Sequence, residues 1–315
     1  MATAHKTEDP KYFSGAQKLL MERDLYEYAV RAWPSIDSAP FVDNWHIGAI
    51  CDHLQAVSDG EISKLLINIP PGCSKSSLCS ILWPTWEWTT RPETRWFFAS
   101  YDQLLSTRDS VKCRLLVNTD WYRSRWSDKV QFGRHDQDTK TFYTNTVGGY
   151  RMATMPGGHG TGEHPDRIVC DDPHNVRKSE SEVDRDKVTR WWSETMSTRG
   201  VSRNASRVII MQRLHHKDLS GYVMSEEAGW VHICLPMRFE KNRMTMSPLG
   251  WNDPREEEGD LLTPAQFSDE KLEPLEKSLG QYGVAGQMQQ RPSPREGGIL
   301  KPEWFEIVKE APIDA

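Results

Sequence analysis

Residues 64–83 constrain the fold more than any other stretch of the chain. KLLINI (64–69) is short, apolar and partly β-branched, the composition of a strand buried on both faces. A Pro-Pro-Gly turn follows, then a helical pattern from Lys75 that meets Pro84, and proline ends or kinks a helix. A loop between a buried strand and a helix N-terminus aims backbone N–H groups and the positive end of the helix dipole at one point, which favours phosphate. Lys75 stands where a lysine can neutralise β/γ-phosphates, and Ser76 where a hydroxyl can ligate Mg²⁺. Pro71, Gly72, Cys73, Ser74, Lys75, Ser76 and Ser77 are therefore the candidate nucleotide-binding set. The spacing departs from the standard GxxxxGK pattern. Ile69 and Ser74 stand at the expected glycines, and Gly72 is the one glycine of the loop. A solvated Lys-Ser pair on a surface turn fits the same letters.

A second signal is IVCDDP (168–173), an apolar run ending in two carboxylates and a proline. In a parallel sheet the carboxyl ends of the strands face the ligand crevice. Asp171 there can hold the Mg²⁺ shell, and Asp172 can orient or deprotonate an attacking water. An Asp-Asp-Pro turn that caps the next segment is the alternative. Asp172 is one methylene shorter than a glutamate, and Glu163, Glu180 and Glu182 are nearby substitutes.

The rest of the chain supplies a frame for these motifs. Helical spacing marks 11–33, stopped by Pro34, then Trp45 to about Val57, 102–118 and 180–197. Strand patterns mark 94–101, 167–170, 206–212 and 230–236, and residues 139–155 around Gly148-Gly149 form a hairpin signal. Strands alternating with helices imply crossover units and a mainly parallel α/β sheet flanked by helices. The expected organisation is an N-terminal helical segment (1–60), a core (61–238) and a lid or linker (239–300) containing a polar, acidic loop at 240–262.

Composition excludes several classes. With 315 residues, 37% apolar and 27% charged, the chain can bury a core, so global disorder is excluded. A net charge of −6 confines any nucleic-acid contact to a local patch or to several copies acting together. No run of 18 apolar residues exists, so no membrane span is expected. Six cysteines without a CxxC pair argue against zinc and against a disulfide framework. His159 and His164 bracket a Gly-rich loop without a third metal ligand in register. His215-His216 reads as an exposed helix start, and Trp191-Trp192 as core.

With both motifs placed, the chain resembles the large terminase subunit of tailed bacteriophages, the ATPase that packages DNA into the procapsid. The resemblance is carried by NWHIGAICDHL (44–54), LLINIPPGCSKSS (65–77), SYDQLLSTRDSVKCR (100–114), GGHGTG (157–162), RIVCDDPHNVRKSESE (167–182), VIIMQRLHHKDLSG (208–221) and GQMQQRPSPREGG (286–298). It implies a RecA-like, additional-strand P-loop NTPase core that uses ATP and Mg²⁺. Pro70 to Ser76 match the phosphate loop, Asp171 the metal-binding acid and Asp172 the catalytic acid. Gln212 and Arg213 match the segment that couples hydrolysis to movement. Trp45 and His46 are candidates to contact the adenine, with core packing as the alternative. A ring motor needs an arginine from a neighbouring subunit. Arg108 and Arg114 are the candidates, with Arg199 and Arg203 behind them.

The implied partners are double-stranded DNA, the portal protein, the small terminase subunit and further copies of the chain in a ring, five on the procapsid. The implied place is the host cytoplasm and, transiently, the portal vertex, not the mature virion. DNA would meet basic loop residues such as Arg123, Arg125, Lys129 or Arg134 through its phosphates. The family's nuclease domain follows the linker, so 301–315 is expected to be the start of a domain the chain lacks. Two other readings stay open: a helicase-like nucleic-acid ATPase, and a non-hydrolysing structural protein on a nucleotide fold.

Overall fold

The computed structural model describes residues 15–132, 138–158, 162–199, 205–243 and 246–293. Among them, seven strands form one sheet in the order β3-β4-β2-β5-β6-β1-β7. These are β1 (Lys64–Asn68), β2 (Trp96–Ala99), β3 (Phe142–Thr144), β4 (Tyr150–Thr154), β5 (Arg167–Asp171), β6 (Ser206–Met211) and β7 (Val231–Cys234). All neighbours run parallel except β3, which returns antiparallel along β4 at the edge. The sheet is the mainly parallel α/β fold expected from the sequence.

Strand residues alternate between two apolar cores, as the period-2 side-chain geometry requires. Leu65, Ile67, Val169, Val208 and Ile210 face helices α1 (Gly15–Arg23), α2 (Leu25–Ala32), α3 (Trp45–Asp59), α5 (Gln103–Val117) and α6 (Asp120–Trp126). Leu66, Ile168, Cys170, Ile209 and Met211 face α7 (Glu182–Arg190), its continuation Trp191–Met196, which runs on into α8 (Ser197–Arg199), and α9 (Leu219–Glu226); α8 itself buries no residue. Trp192 is fully buried in that second core, as the sequence suggested.

Several boundaries differ from expectation. The segment read as one helix over 11–33 is broken at Asp24, whose side chain accepts from Glu27 N–H and caps α2; its first four residues lie outside the described ones. Pro84 does not end the helix after the phosphate loop. The helix passes through a π-type stretch, Ser77–Leu82, into α4 (Trp83–Glu87); the wider stretch accommodates a residue without an N–H. The loop expected at 240–262 packs onto the fold through its described residues. Arg255, 5% exposed, pairs with Asp253 and donates to the carbonyls of Pro236, Met237 and Asp260. Beyond it, α10 (Asp269–Gly283) and the turn Val284–Met288 send Leu272 and Met288 into the first core. His215 is buried, not exposed: it sits in the turn that Asp218 organises ahead of α9. All six cysteines are free. Residues 301–315, His159, Arg134 and Arg203 lie outside the described residues. No described helix is long and apolar enough to cross a membrane.

Candidate functional site

The loop after β1 and the acidic end of β5 converge. Lys75 Nζ lies 2.9 Å from Asp172 Oδ2, with the two side chains 7% and 22% exposed. Burial alone would lower the Lys75 pKa, but Asp172 and Asp171 outweigh it, and the amine sits above its ordinary value. The lysine is thus charged and committed to a carboxylate. One strand, β6, lies between β1 and β5.

The loop reaches this geometry without the standard glycine before the lysine. Ser74 takes φ +58°, the left-handed conformation a glycine adopts without a Cβ penalty. Its carbonyl accepts from Leu78 N–H at 3.0 Å, opening the helix. Gly72 has φ +80°, and a Cβ there would lie 2.9 Å from Phe267 Cζ. Gln266 Nε2 also donates to Gly72 O at 2.8 Å, so the segment before α10 straps the loop from outside. Burial pushes the Cys73 thiol up to about 12, against a smaller pull from Lys75, so Cys73 packs as a neutral group.

Asp172 is also left-handed, at φ +44°. Strained non-glycine conformations persist where the surroundings over-determine them, and they cluster at functional sites. Here three bonds fix it. Its N–H donates to Ile210 O at 2.9 Å, its carbonyl accepts from Tyr101 N–H at 3.1 Å, and Oδ1 accepts from Gln212 N–H at 3.0 Å. The Gln212 side-chain oxygen is buried without a hydrogen-bond partner, beside the acid.

Asp171 is buried at 6% exposure. Burial first, and Asp172 second, push its carboxyl up to about 7, while Lys75 and the Ser76 hydroxyl pull it down. Oδ2 accepts from Ser80 Oγ at 2.9 Å. Oδ1 is buried and has no hydrogen-bond partner. An orphaned carboxylate oxygen near the Ser76 hydroxyl, backed by a left-handed N–H-rich loop and a buried lysine, is a donor set that fits a Mg-nucleotide. Among the described residues there is no group of three or more His, Cys, Asp or Glu that could hold a metal ion.

The remaining candidates have other contacts. His46 is 2% exposed; its ring lies against the Cys73 backbone, and burial lowers its pKa to about 4. It therefore props the phosphate loop as a neutral ring. Trp45 stacks on Trp251 at 5.8 Å, with the Arg255 guanidinium 5.3 Å from its ring. Arg213 is held by Asp218 at 3.0 Å with both side chains buried, and its N–H donates to Gln290 Oε1. Arg114 lies over the Tyr143 ring at 5.5 Å. Arg108 is half exposed and bonds Asp109. That hydrogen bond, with Asp171 contributing, holds its pKa above the ordinary arginine value. Of the basic residues proposed to meet DNA, Lys129 is held by Glu22 and Thr89 O, and Arg125 packs on Trp121.

Tyr101, Ser80, Gln266 and Phe267 belong to the site and escaped the sequence reading. Ser80 carried a usable signal, since it lies four residues after Ser76 and so on the same helix face. Nothing local marks Gln266 or Phe267, which reach the loop across 194 residues of chain or more.

Fold and site together are a mainly parallel α/β sheet with a lysine-bearing loop and an acidic strand end brought to one place. No family model matches the chain, and no curated protein does. Among solved structures it is similar to the large terminase of a thermophilic bacteriophage in complex with ADP, with a TM-score of 0.43 and 10% identity. The alignment covers 75% of this chain and 51% of that one, so the chain spans about half the length of that protein. It is also similar to the large terminase ATPase domain of Thermus phage P74-26, in an arginine-to-alanine mutant. There the TM-score is 0.43 and the identity 11%, covering 75% of this chain and 91% of that one. A correspondence this loose decides nothing about activity.

Proposed function

We propose that the chain is a Mg²⁺-dependent ATPase, the motor part of a phage large terminase. The observation that carries the ATPase reading is the Lys75–Asp172 pair at 2.9 Å beside an Asp171 oxygen without a partner. The terminase reading is supported by the ordered set of motifs along the sequence.

In this reading the left-handed turns at Gly72 and Ser74 direct backbone N–H groups at the phosphates. Ser76 and Asp171 would hold Mg²⁺, which would supply positive charge to offset that of the transferred phosphate. Lys75 exchanges Asp172 for phosphate when nucleotide arrives. That exchange frees Asp172 Oδ2 to take a proton from the attacking water, whose oxygen bonds to the γ-phosphorus as the bond to the β–γ bridging oxygen breaks and ADP leaves with that electron pair; the proton then passes to solvent. The backbone bonds of Asp172 to Tyr101 and Ile210 keep its direction while its partner changes. Gln212, bonded to Asp172 through its N–H, passes the change of partner into β6. Double-stranded DNA, the portal, a small subunit and further copies of the chain are the partners this role requires. A catalytic arginine then comes from a neighbour, with Arg108 as the exposed candidate.

The test is steady-state ATP hydrolysis against protein concentration for wild type, Lys75→Ala and Asp172→Asn, with and without linear duplex DNA. The proposal expects turnover rising more than linearly with concentration and lost in both variants, with Asp172→Asn still binding Mg-ATP. Mg-ATP binding with no turnover at any concentration would move the assignment to a non-hydrolysing nucleotide fold.

A further inference from the structure

We propose that Ser80 is a positioning residue for the metal-binding carboxylate: it ties one oxygen of Asp171 so that the other is left for the metal. The inference deepens the ATPase reading and rests on it.

Ser80 sits in the π-type stretch Ser77–Leu82 and is 3% exposed. Its neighbours on that stretch, Leu78, Cys79, Ile81 and Leu82, are buried apolar residues of the first core. A serine within a helix ordinarily turns its hydroxyl back to a carbonyl one turn earlier. Ser80 instead donates across to β5, to Asp171 Oδ2 at 2.9 Å. The second oxygen, Oδ1, is buried and unpartnered, and buried polar atoms without partners are uncommon enough to need an explanation. Lys75 does not supply one: its amine bonds Asp172, and no hydrogen bond reaches Asp171 Oδ1.

An aspartate carboxylate turns freely about its last bond. Left untied, it could offer a metal both oxygens, or turn the wrong one toward Ser76. With Oδ2 occupied, Asp171 offers one oxygen in one direction, which suits Mg²⁺, a small ion that demands near-ideal octahedral geometry. Ser76 and Ser80 are four residues apart on one helix, so the metal-binding hydroxyl and the hydroxyl that aims the acid move as one body. Partners that orient metal ligands typically change metal affinity by about 10–100-fold when removed.

The experiment titrates fluorescent N-methylanthraniloyl-ADP into wild type, Ser80→Ala and Ser80→Thr, once in Mg²⁺ and once in EDTA, with thermal unfolding as a check on folding. Ser80→Ala should weaken binding in Mg²⁺ by about tenfold and leave binding in EDTA within about twofold, because the metal-free nucleotide uses only the loop and Lys75. Ser80→Thr, which keeps the hydroxyl, should recover most of the Mg²⁺ effect. Equal losses in Mg²⁺ and EDTA would make Ser80 a packing residue and overturn the inference, as would no loss in either. If wild type itself binds no better in Mg²⁺ than in EDTA, the ATPase reading fails, and this inference with it.

Discussion

Removing the Lys75 amine tests the centre of the site. The pair spans 2.9 Å, which corresponds to a gross attraction of about 6 kcal/mol at an effective dielectric near 20. Desolvation of the amine offsets most of that, so the pair's net contribution is small, yet deleting one partner of a fully buried pair costs about 3–5 kcal/mol. Asp172 keeps 22% exposure, so water can solvate it once the lysine is gone, and the cost falls. Asp171, fully enclosed, also loses a compensating charge. Lys75→Met should therefore destabilise the nucleotide-free protein by about 2–3 kcal/mol. Asp172→Asn should cost less, about 1–2 kcal/mol, because the amine still has Asp171 beside it. The double variant should cost no more than Lys75→Met alone, a coupling of about 1–2 kcal/mol. The assay is urea unfolding in EDTA at one protein concentration, for all four proteins of the cycle. Effects that add to within about 0.5 kcal/mol would refute the reasoning: the lysine would not be held on the acid, and no exchange of partners could accompany nucleotide binding.

Other consequences follow from individual contacts. Gly72→Ala places a Cβ 2.9 Å from Phe267 Cζ at φ +80°; it should destabilise by about 1–2 kcal/mol and weaken nucleotide binding. Phe267→Ala added to it should relieve the clash but not the backbone strain, and a neutral Gly72→Ala in thermal unfolding would contradict the left-handed turn. Arg213→Ala leaves the fully buried Asp218 without its cation and should cost about 3–5 kcal/mol. Its lost activity would then track lost folding in a parallel unfolding curve, whereas a normally stable, inactive variant would restore Arg213 to the chemistry. Burial lowers His46 and His174 to about 4, below the roughly 6.5 of an unfolded chain. Their contribution is therefore present above about pH 6.5 and lost as the pH falls toward 4, up to about 3 kcal/mol each. Urea midpoints should drop through that window, and midpoints that rise on acidification would be inconsistent with neutral, buried rings.

The sequence by itself determined the parts that depend on neighbours along the chain. Buried parallel strands are apolar runs, so Lys64–Asn68, Arg167–Asp171 and Ser206–Met211 were legible, and Gly148-Gly149 marked the β3–β4 hairpin. A strand, a turn and a helix in succession are local, so the loop bearing Lys75 and Ser76 and the strand end bearing Asp171 and Asp172 could be placed from letters and order alone. Tertiary structure decided what those residues touch. That Ser74 and Asp172 would accept left-handed backbone follows from helix packing and from bonds to Ile210, Tyr101 and Gln212, which no local pattern contains. Trp45 had the letters of a base-stacking residue, and Trp251 across the fold took its face. Arg213 matched a coupling segment by its letters, and only the fold set Asp218 against it. The division has one physical cause. Periodicity and turn chemistry are written in consecutive residues, whereas a side chain's partner is set by which distant surface the folded chain brings against it.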